Sequence, residues 1–180
     1  MRPLKLRMQA FGSYVEEQIL DFETALSGAP FVLIHGATGA GKTTILDAIV
    51  FALYGESSGD VREGAMLRSS AAPPERVTEV EYTFALGRRR YRVLRSPSYE
   101  RMSRGKMTRR AAAGELYRLP DVGDEGEEVL LDSNVTEVSK RIGTLIGFDA
   151  DQFRQVILLP QGQFQRFLLA EVKDRSAIMQ

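Results

Sequence analysis

Cysteine and tryptophan are absent from this 180-residue chain, and histidine occurs once. Without cysteine there is no disulfide framework and no thiolate metal site. Long apolar runs are missing too. The longest, near Ile45 to Tyr54, is broken by Asp47 and falls far short of the ~20 residues that span a bilayer. From Met1 to Gly12, Lys and Arg alternate with apolar residues, so there is no apolar core or cleavage site of a secretory signal. Net charge is lacking as well: 24 Lys and Arg balance 24 Asp and Glu. The chain as a whole therefore has no field that would draw a polyanion. The expectation is a cytoplasmic protein with no membrane partner. What is present is ordinary globular composition, 43% hydrophobic and 27% charged, at a length that suits one domain.

Alternation of Leu4, Leu6 and Met8 with Lys5, Arg7 and Gln9 predicts a half-buried strand over 4–10, with 18–22 as an antiparallel partner. Phe31-Val32-Leu33-Ile34 reads as a buried central strand. A mostly apolar helix is predicted over 43–54, with Gly55 at its C-cap position and a short helix around 65–68. Strands over 77–86 and 90–95 make a hairpin turned at Gly87. The segment 96–114 has no apolar periodicity and reads as a long basic loop. Short strands at 116–119 and 129–131, an amphipathic helix over 134–146 and a further helix over 149–156 complete the pattern.

Gly36-Ala37-Thr38-Gly39-Ala40-Gly41-Lys42-Thr43 matches G-x-x-x-x-G-K-[ST], placed between an apolar strand and a helix as its mechanism requires. The glycines let backbone N–H groups turn inward around phosphates, and the helix N-terminus adds its positive end. Lys42 supplies a point charge, and the Thr43 hydroxyl suits Mg²⁺. The expected ligand is ATP with Mg²⁺. Gly36, Thr38, Gly39, Ala40, Gly41, Lys42, Thr43 and Thr44 are the residues expected to hold it.

Three stretches narrow the family. Leu4 to Tyr14 resembles the first strand of SMC-like ATPase heads, and Thr43 to Gly55 resembles the helix of their Walker A motif. Val156-Ile157-Leu158-Leu159-Pro160-Gln161-Gly162-Gln163-Phe164 resembles their Q-loop. Together they look like the SbcC family, the ATPase subunits of DNA double-strand-break repair nucleases. The resemblance implies an α/β fold, the N-terminal lobe of an ABC-type ATPase head. An antiparallel β subdomain would lie beside a parallel-strand core carrying the Walker A helix.

By the same resemblance, residues 1–170 form the N-terminal half of the head, and 171–180 begin an ascending coiled coil. The C-terminal half would bring Walker B and the signature motif, neither of which is visible here, so the chain by itself is expected not to turn ATP over. Lys42 and Gln161 take catalytic roles, Thr43 and Gln161 the metal, and Ser13 a place near the phosphates. In some relatives Arg precedes that serine, whereas here it is Gly12. The implied partners are the C-terminal half of the same ATPase, a second head in a homodimer, an SbcD-type nuclease and double-stranded DNA, in a nucleoid-associated setting. Other readings remain: an SMC or recombination-mediator protein, an ABC transporter nucleotide-binding subunit, and a nucleotide-binding module without catalysis.

Charge is unevenly placed. Gly87 to Arg118 holds eleven Lys or Arg against two acids, while Leu119 to Glu137 holds seven acids and no base. Such runs are usually solvated. With the family resemblance, Arg88, Arg89, Arg90, Arg92, Arg101, Arg104, Lys106, Arg109 and Arg110 become candidates to meet DNA phosphates. Tyr91 and Tyr99 lie among them without forming a stacking platform. His35 has no partners for a catalytic triad and is expected at a strand end near the core. Asp47 reads as a hydrogen-bonded packing residue. Met66 and 60–62 are placed near the base.

Overall fold

The computed structural model describes residues 1–26, 33–56, 64–103 and 105–156. The apolar–polar alternation at the N-terminus forms β1 (Arg2–Gln9), with Leu4, Leu6 and Met8 buried. Its antiparallel neighbour on one side is β2 (Gln18–Asp21), which leads into α1 (Phe22–Leu26). On the other side lies β3 (Glu79–Leu86), followed by β4 (Arg89–Ser96) across a turn at Gly87. Next come β7 (Ala113–Leu119) and β8 (Val129–Asp132), giving a six-stranded sheet in the order β2-β1-β3-β4-β7-β8. Every strand pairing among the described residues is antiparallel.

Helix α2 (Lys42–Tyr54) is apolar on nearly all sides because it is buried on nearly all sides, with Ala48, Val50, Ala52 and Leu53 fully enclosed. It packs on β3 and β4 and on α3 (Val135–Ile146). Asn134 caps α3, its side-chain oxygen accepting from the N–H groups of Thr136 and Glu137 at 3.0 and 3.2 Å. The short α4 (Ala150–Val156) inserts Phe153 against Tyr54, ring centroids 5.5 Å apart. The fold is thus mixed α/β with an antiparallel sheet, and one core joins the sheet to α2, α3 and α4.

Arg95 is fully enclosed in this core. Its Nε donates to Ala52 O at 2.7 Å, and its Nη2 donates to Leu53 O at 3.1 Å and Ser139 Oγ at 2.9 Å. A third arm reaches Val135 O at 3.3 Å. The guanidinium thereby ties the last turn of α2, whose carbonyls lack helical partners, to the first turn of α3. Burial lowers its pKa to about 10, which leaves it charged at neutral pH.

Three expectations are corrected. The basic stretch 96–114 is a hairpin rather than a loop: β5 (Tyr99–Ser103) pairs with β6 (Lys106–Arg110) in a two-stranded sheet of their own. Most of this ribbon is solvated on both faces, so no apolar period marks it. Leu33 and Ile34, which read as part of a buried strand, lie outside any strand and are 84% and 36% exposed. Phe31 and Val32 lie outside the described residues. A parallel central strand needs neighbours on both sides, and none among the described strands flanks this segment. His35, expected near the core, is exposed for the same reason.

Candidate functional site

The turn after β1 and the loop before α2 meet face to face. Ala10 and Gly12 adopt positive φ, 50° and 54°, which folds the chain sharply back. Gly12 N–H donates to Leu67 O at 2.8 Å, and Ser69 N–H donates to Ala10 O at 2.9 Å, so the segment after the 3₁₀ turn Gly64–Leu67 is stitched to the end of β1. Across the gap, Ser13 Oγ lies 3.2 Å from Thr44 Oγ1, and Tyr14 Oη donates to Ala40 O at 3.3 Å. The approach is close enough to demand glycine twice. A Cβ at residue 12 would stand 2.5 Å from Thr44 Cγ2, and one at residue 41 would stand 2.6 Å from Ser13 Oγ. In this chain, any side chain at position 12 would meet the Thr44 side chain at the start of α2.

Between these walls lies an open cleft of about 880 Å³. Of the residues read from the motif, Thr38, Gly39, Gly41, Lys42, Thr43 and Thr44 line it, joined by Ser13. Gly36 and Ala40 sit behind, offering carbonyls. Lys42 Nζ donates to Gly36 O and Ala37 O, both at 2.8 Å, which folds its cation back over the loop. Helix α2 begins at this cleft with Gly41 as N-cap, and no side chain caps its first turn. The N–H groups there are free to face an anion. Gln161 and Arg104 lie outside the described residues, as do 60–62 and 171–180.

The opposite wall is only glimpsed in the sequence. Met66, placed near the base, lines the cleft, but Arg68, Ser69, Ser70 and Ala72 had no signal. Arg68 donates to the carbonyls of Arg76 and Pro73 at 2.8 Å and to Thr78 Oγ1 at 2.6 Å, and it lies 4.6 Å above the Tyr99 ring. It clamps its own wall and borders a second crevice containing Ser98, Glu100 and Arg109. The backbone bridge from Phe11 to Arg68 is a long-range pairing that local periodicity cannot reveal.

The basic candidates separate into groups. Arg88 and Arg89 are exposed where β4 begins. Arg90 faces Glu23 at 3.5 Å. Arg92 is held between Glu81 at 3.1 Å and Glu128 at 2.6 Å and stacks on Tyr117, and these carboxylates hold its pKa above the ordinary value despite its partial burial. Part of the acidic stretch thus neutralises part of the basic one. Arg101, Lys106, Arg109 and Arg110 lie on the β5–β6 ribbon beyond the other end of β4, which an eight-residue strand places roughly 25 Å from Arg88. That is the end of the sheet where β1 delivers Gly12 and Ser13 to the cleft. Tyr91 and Tyr99 are buried, and neither offers a face to bases.

Comparison with known proteins fits this geometry. A family model described as AAA domain matches residues 5–180. The chain belongs to this AAA-domain family. It is similar to the SbcC subunit of nuclease SbcCD from Vibrio cholerae, 45% identical over 180 residues, and to the same subunit from Staphylococcus aureus strain JH9, 36% identical over 179 residues. Both alignments cover 99% of this chain and 17% of the relative, so the chain spans about a sixth of the length of these curated relatives. Among the described residues, no helix of this AAA-family chain is long and apolar enough to cross a membrane, and no group of three His, Asp or Glu is placed to hold a metal ion.

Proposed function

We propose that the chain is the ATP-binding half of an ATPase head that serves a DNA double-strand-break repair nuclease of the SbcCD kind. The observation that carries the reading is the uncapped start of α2, which with Lys42 and the glycine loop lines one side of an open cleft. An anionic polyphosphate fits that place. It meets backbone N–H groups, the positive end of a helix dipole and a mobile ammonium group.

Lys42 would leave the Gly36 and Ala37 carbonyls for the β- and γ-phosphates. The Thr43 hydroxyl, at the rim, suits a hard cation that keeps most of its waters. Thr43 and Gln161 are the residues that would hold Mg²⁺, which when bound neutralises charge on the phosphates. Gln161 would orient the attacking water, and Ser13 and Thr44 shape the wall behind the phosphates. Hydrolysis needs positioning and charge neutralisation more than covalent chemistry. A carboxylate to complete it would come from a C-terminal half-head, whose strands would also flank 31–34 and build the parallel core. A second head would close over the nucleotide, and an SbcD-type nuclease would be the controlled partner. Titration with ATP and Mg²⁺ tests the binding half of this reading: saturable heat supports it, and its absence at millimolar ATP refutes it.

DNA contact is assigned to the ribbon more than to the β3–β4 turn, because Arg90 and Arg92 already face carboxylates. Charge reversal at Arg101, Lys106, Arg109 and Arg110 should weaken binding to duplex DNA at least tenfold. It should also flatten the slope of log affinity against log salt, by about 0.9 for each phosphate that is no longer neutralised. ATP binding should stay intact. A quadruple variant that binds DNA like the parent would leave the ribbon without this role.

A further inference from the structure

Tyr14 touches the glycine loop but does not line the cleft. Its hydroxyl donates to Ala40 O at 3.3 Å, and a Cβ on Gly41 would stand 2.7 Å from that oxygen and 2.8 Å from Cζ. The end of the ring therefore lies against the peptide that joins Ala40 to Gly41. The turn that presents the ring is firmly held. Tyr14 N–H donates to Phe11 O at 2.9 Å, and Ala10 N–H donates to Val15 O at 3.2 Å. Phe11 is buried against Phe51 of α2, ring centroids 5.6 Å apart, and Tyr14 packs partly buried on the same core. Tyr14 thus reaches from the core of α2 to the loop that precedes this helix. The roles assigned to Lys42, Thr43 and Gln161 leave it unused.

We infer that Tyr14 is a positioning residue: its hydroxyl holds the Ala40 carbonyl and thereby aims the Gly41 N–H at the phosphates. The inference rests on the ATP reading of the cleft. A trans peptide is planar, so its carbonyl and its N–H point in opposite directions. With Ala40 O drawn to Tyr14, the Gly41 N–H points away from the ring. Gly41 lines the cleft, whereas Ala40 and Tyr14 do not. Among the described residues, no group accepts from this N–H. Such a unit needs holding. Gly39 and Gly41, on either side of Ala40, have φ of 84° and 87°, and glycine adopts either sign of φ with similar ease. A flip of the peptide would turn an oxygen toward the anion in place of a donor. The other carbonyl bonds do not prevent it. Gly36 O and Ala37 O accept from Lys42, which leaves them when the phosphates arrive, and Gly41 O accepts from Ile45 N–H at 3.3 Å on the far side of the glycine. The bond from Tyr14 can persist with and without nucleotide, so the donor is set before binding and less ordering is left to do at that moment.

Tyr14→Phe tests this, because it removes the hydroxyl and keeps the ring. Calorimetry with Mg²⁺ should show affinity for ATP lowered about three- to tenfold, the effect of one hydrogen bond. Tripolyphosphate, which has neither base nor ribose, should lose affinity by the same factor, since the brace acts on an amide that faces phosphate. Amide NMR reads the device itself: the Gly41 proton should move downfield on adding ATP to the parent, and by a smaller amount in the variant. The urea midpoint without ligand should match the parent. Parental affinity for both ligands in Tyr14→Phe would overturn the inference, and a lowered midpoint beside it would leave the hydroxyl a merely structural part. A loss for ATP alone would overturn it too, by placing the phenol with the base instead of the loop. So would a loss for both ligands with a parental Gly41 shift, which would mean that the hydroxyl touches the ligand. Lys42→Ala separates the two layers. If it weakens binding while Tyr14→Phe is silent, the ATP site stands and only the brace fails. If the parent binds neither ATP nor tripolyphosphate, the ATP reading fails and the brace with it.

Discussion

Replacing Lys42 with alanine should lower the affinity for ATP by about ten- to a hundredfold, the equivalent of about 1.5–3 kcal/mol for a hydrogen bond made by a charged group. The expectation follows from what Lys42 does without a ligand. Its ammonium bonds carbonyls of its own loop, Gly36 O and Ala37 O, and no carboxylate among the described residues neutralises it. A full positive charge therefore waits beside the start of α2, where helix dipole and backbone N–H groups also favour an anion. Removing it deletes the mobile charge of the cleft but not the cradle, so residual weak binding should persist. Lys42 is only partly buried and sits at a helix start, so unfolding should shift by no more than about 1 kcal/mol. Calorimetry with ATP and Mg²⁺, paired with a urea melt, reads both quantities. Equal affinity in variant and parent would remove Lys42 from the site.

Arg95→Leu should cost far more in folding than Lys42→Ala, about 3–5 kcal/mol. Leucine fills part of the volume but leaves the Ala52 and Leu53 carbonyls and the Ser139 hydroxyl without the donor they now share. Each buried polar group stripped of its partner costs about 1–3 kcal/mol. The core also gives the substitute nowhere to relax, since Gly55 and Gly114 approach the guanidinium so closely that a Cβ on either would lie 3.1 and 3.3 Å from Nη1. Arg95→Lys keeps the charge and loses the fork, so it should fall between. At roughly 2–4 °C per kcal/mol for a chain of this size, Arg95→Leu should melt about 10 °C lower. The cleft lies at the opposite end of α2, and the fraction that remains folded should still bind ATP. A melt within about 2–3 °C of the parent, less than one kcal/mol on the same scale, would mean the clamp contributes little.

The sequence is most legible where one residue type answers one physical need. Leu4, Leu6 and Met8 alternate because one face of β1 is buried, and Gly55 ends α2 because the cap needs φ near 80°. Gly36 to Thr44 announces an anion site because loop and helix start are contiguous in the chain. Legibility fails where the need is set by distant partners. Arg95 looks like one more member of a basic run, yet it is the buried clamp of two helices, visible only once β4 packs on α2. Arg92 reads as one of the free cations, but two carboxylates far along the chain hold it. The β5–β6 ribbon, with few buried positions, offers no period to read. Leu33 and Ile34 offer a misleading one: an apolar run announces burial without saying what does the burying, and the described residues do not cover it. The wall formed by Met66 to Ala72 is joined to β1 by backbone bonds from Gly12 and Ser69, which no local motif encodes.

Amide hydrogen exchange of the chain, with and without ATP and Mg²⁺, tests the central claim most directly, because it reads every wall of the cleft at once. Nucleotide held between the loop and the β1–β2 turn should slow exchange across 36–44 and across 12–14 and 66–72. The β7–β8 edge, remote in the sheet, should exchange as before. Unchanged exchange across 36–44 at saturating ATP, or protection confined to segments outside the cleft, would contradict it.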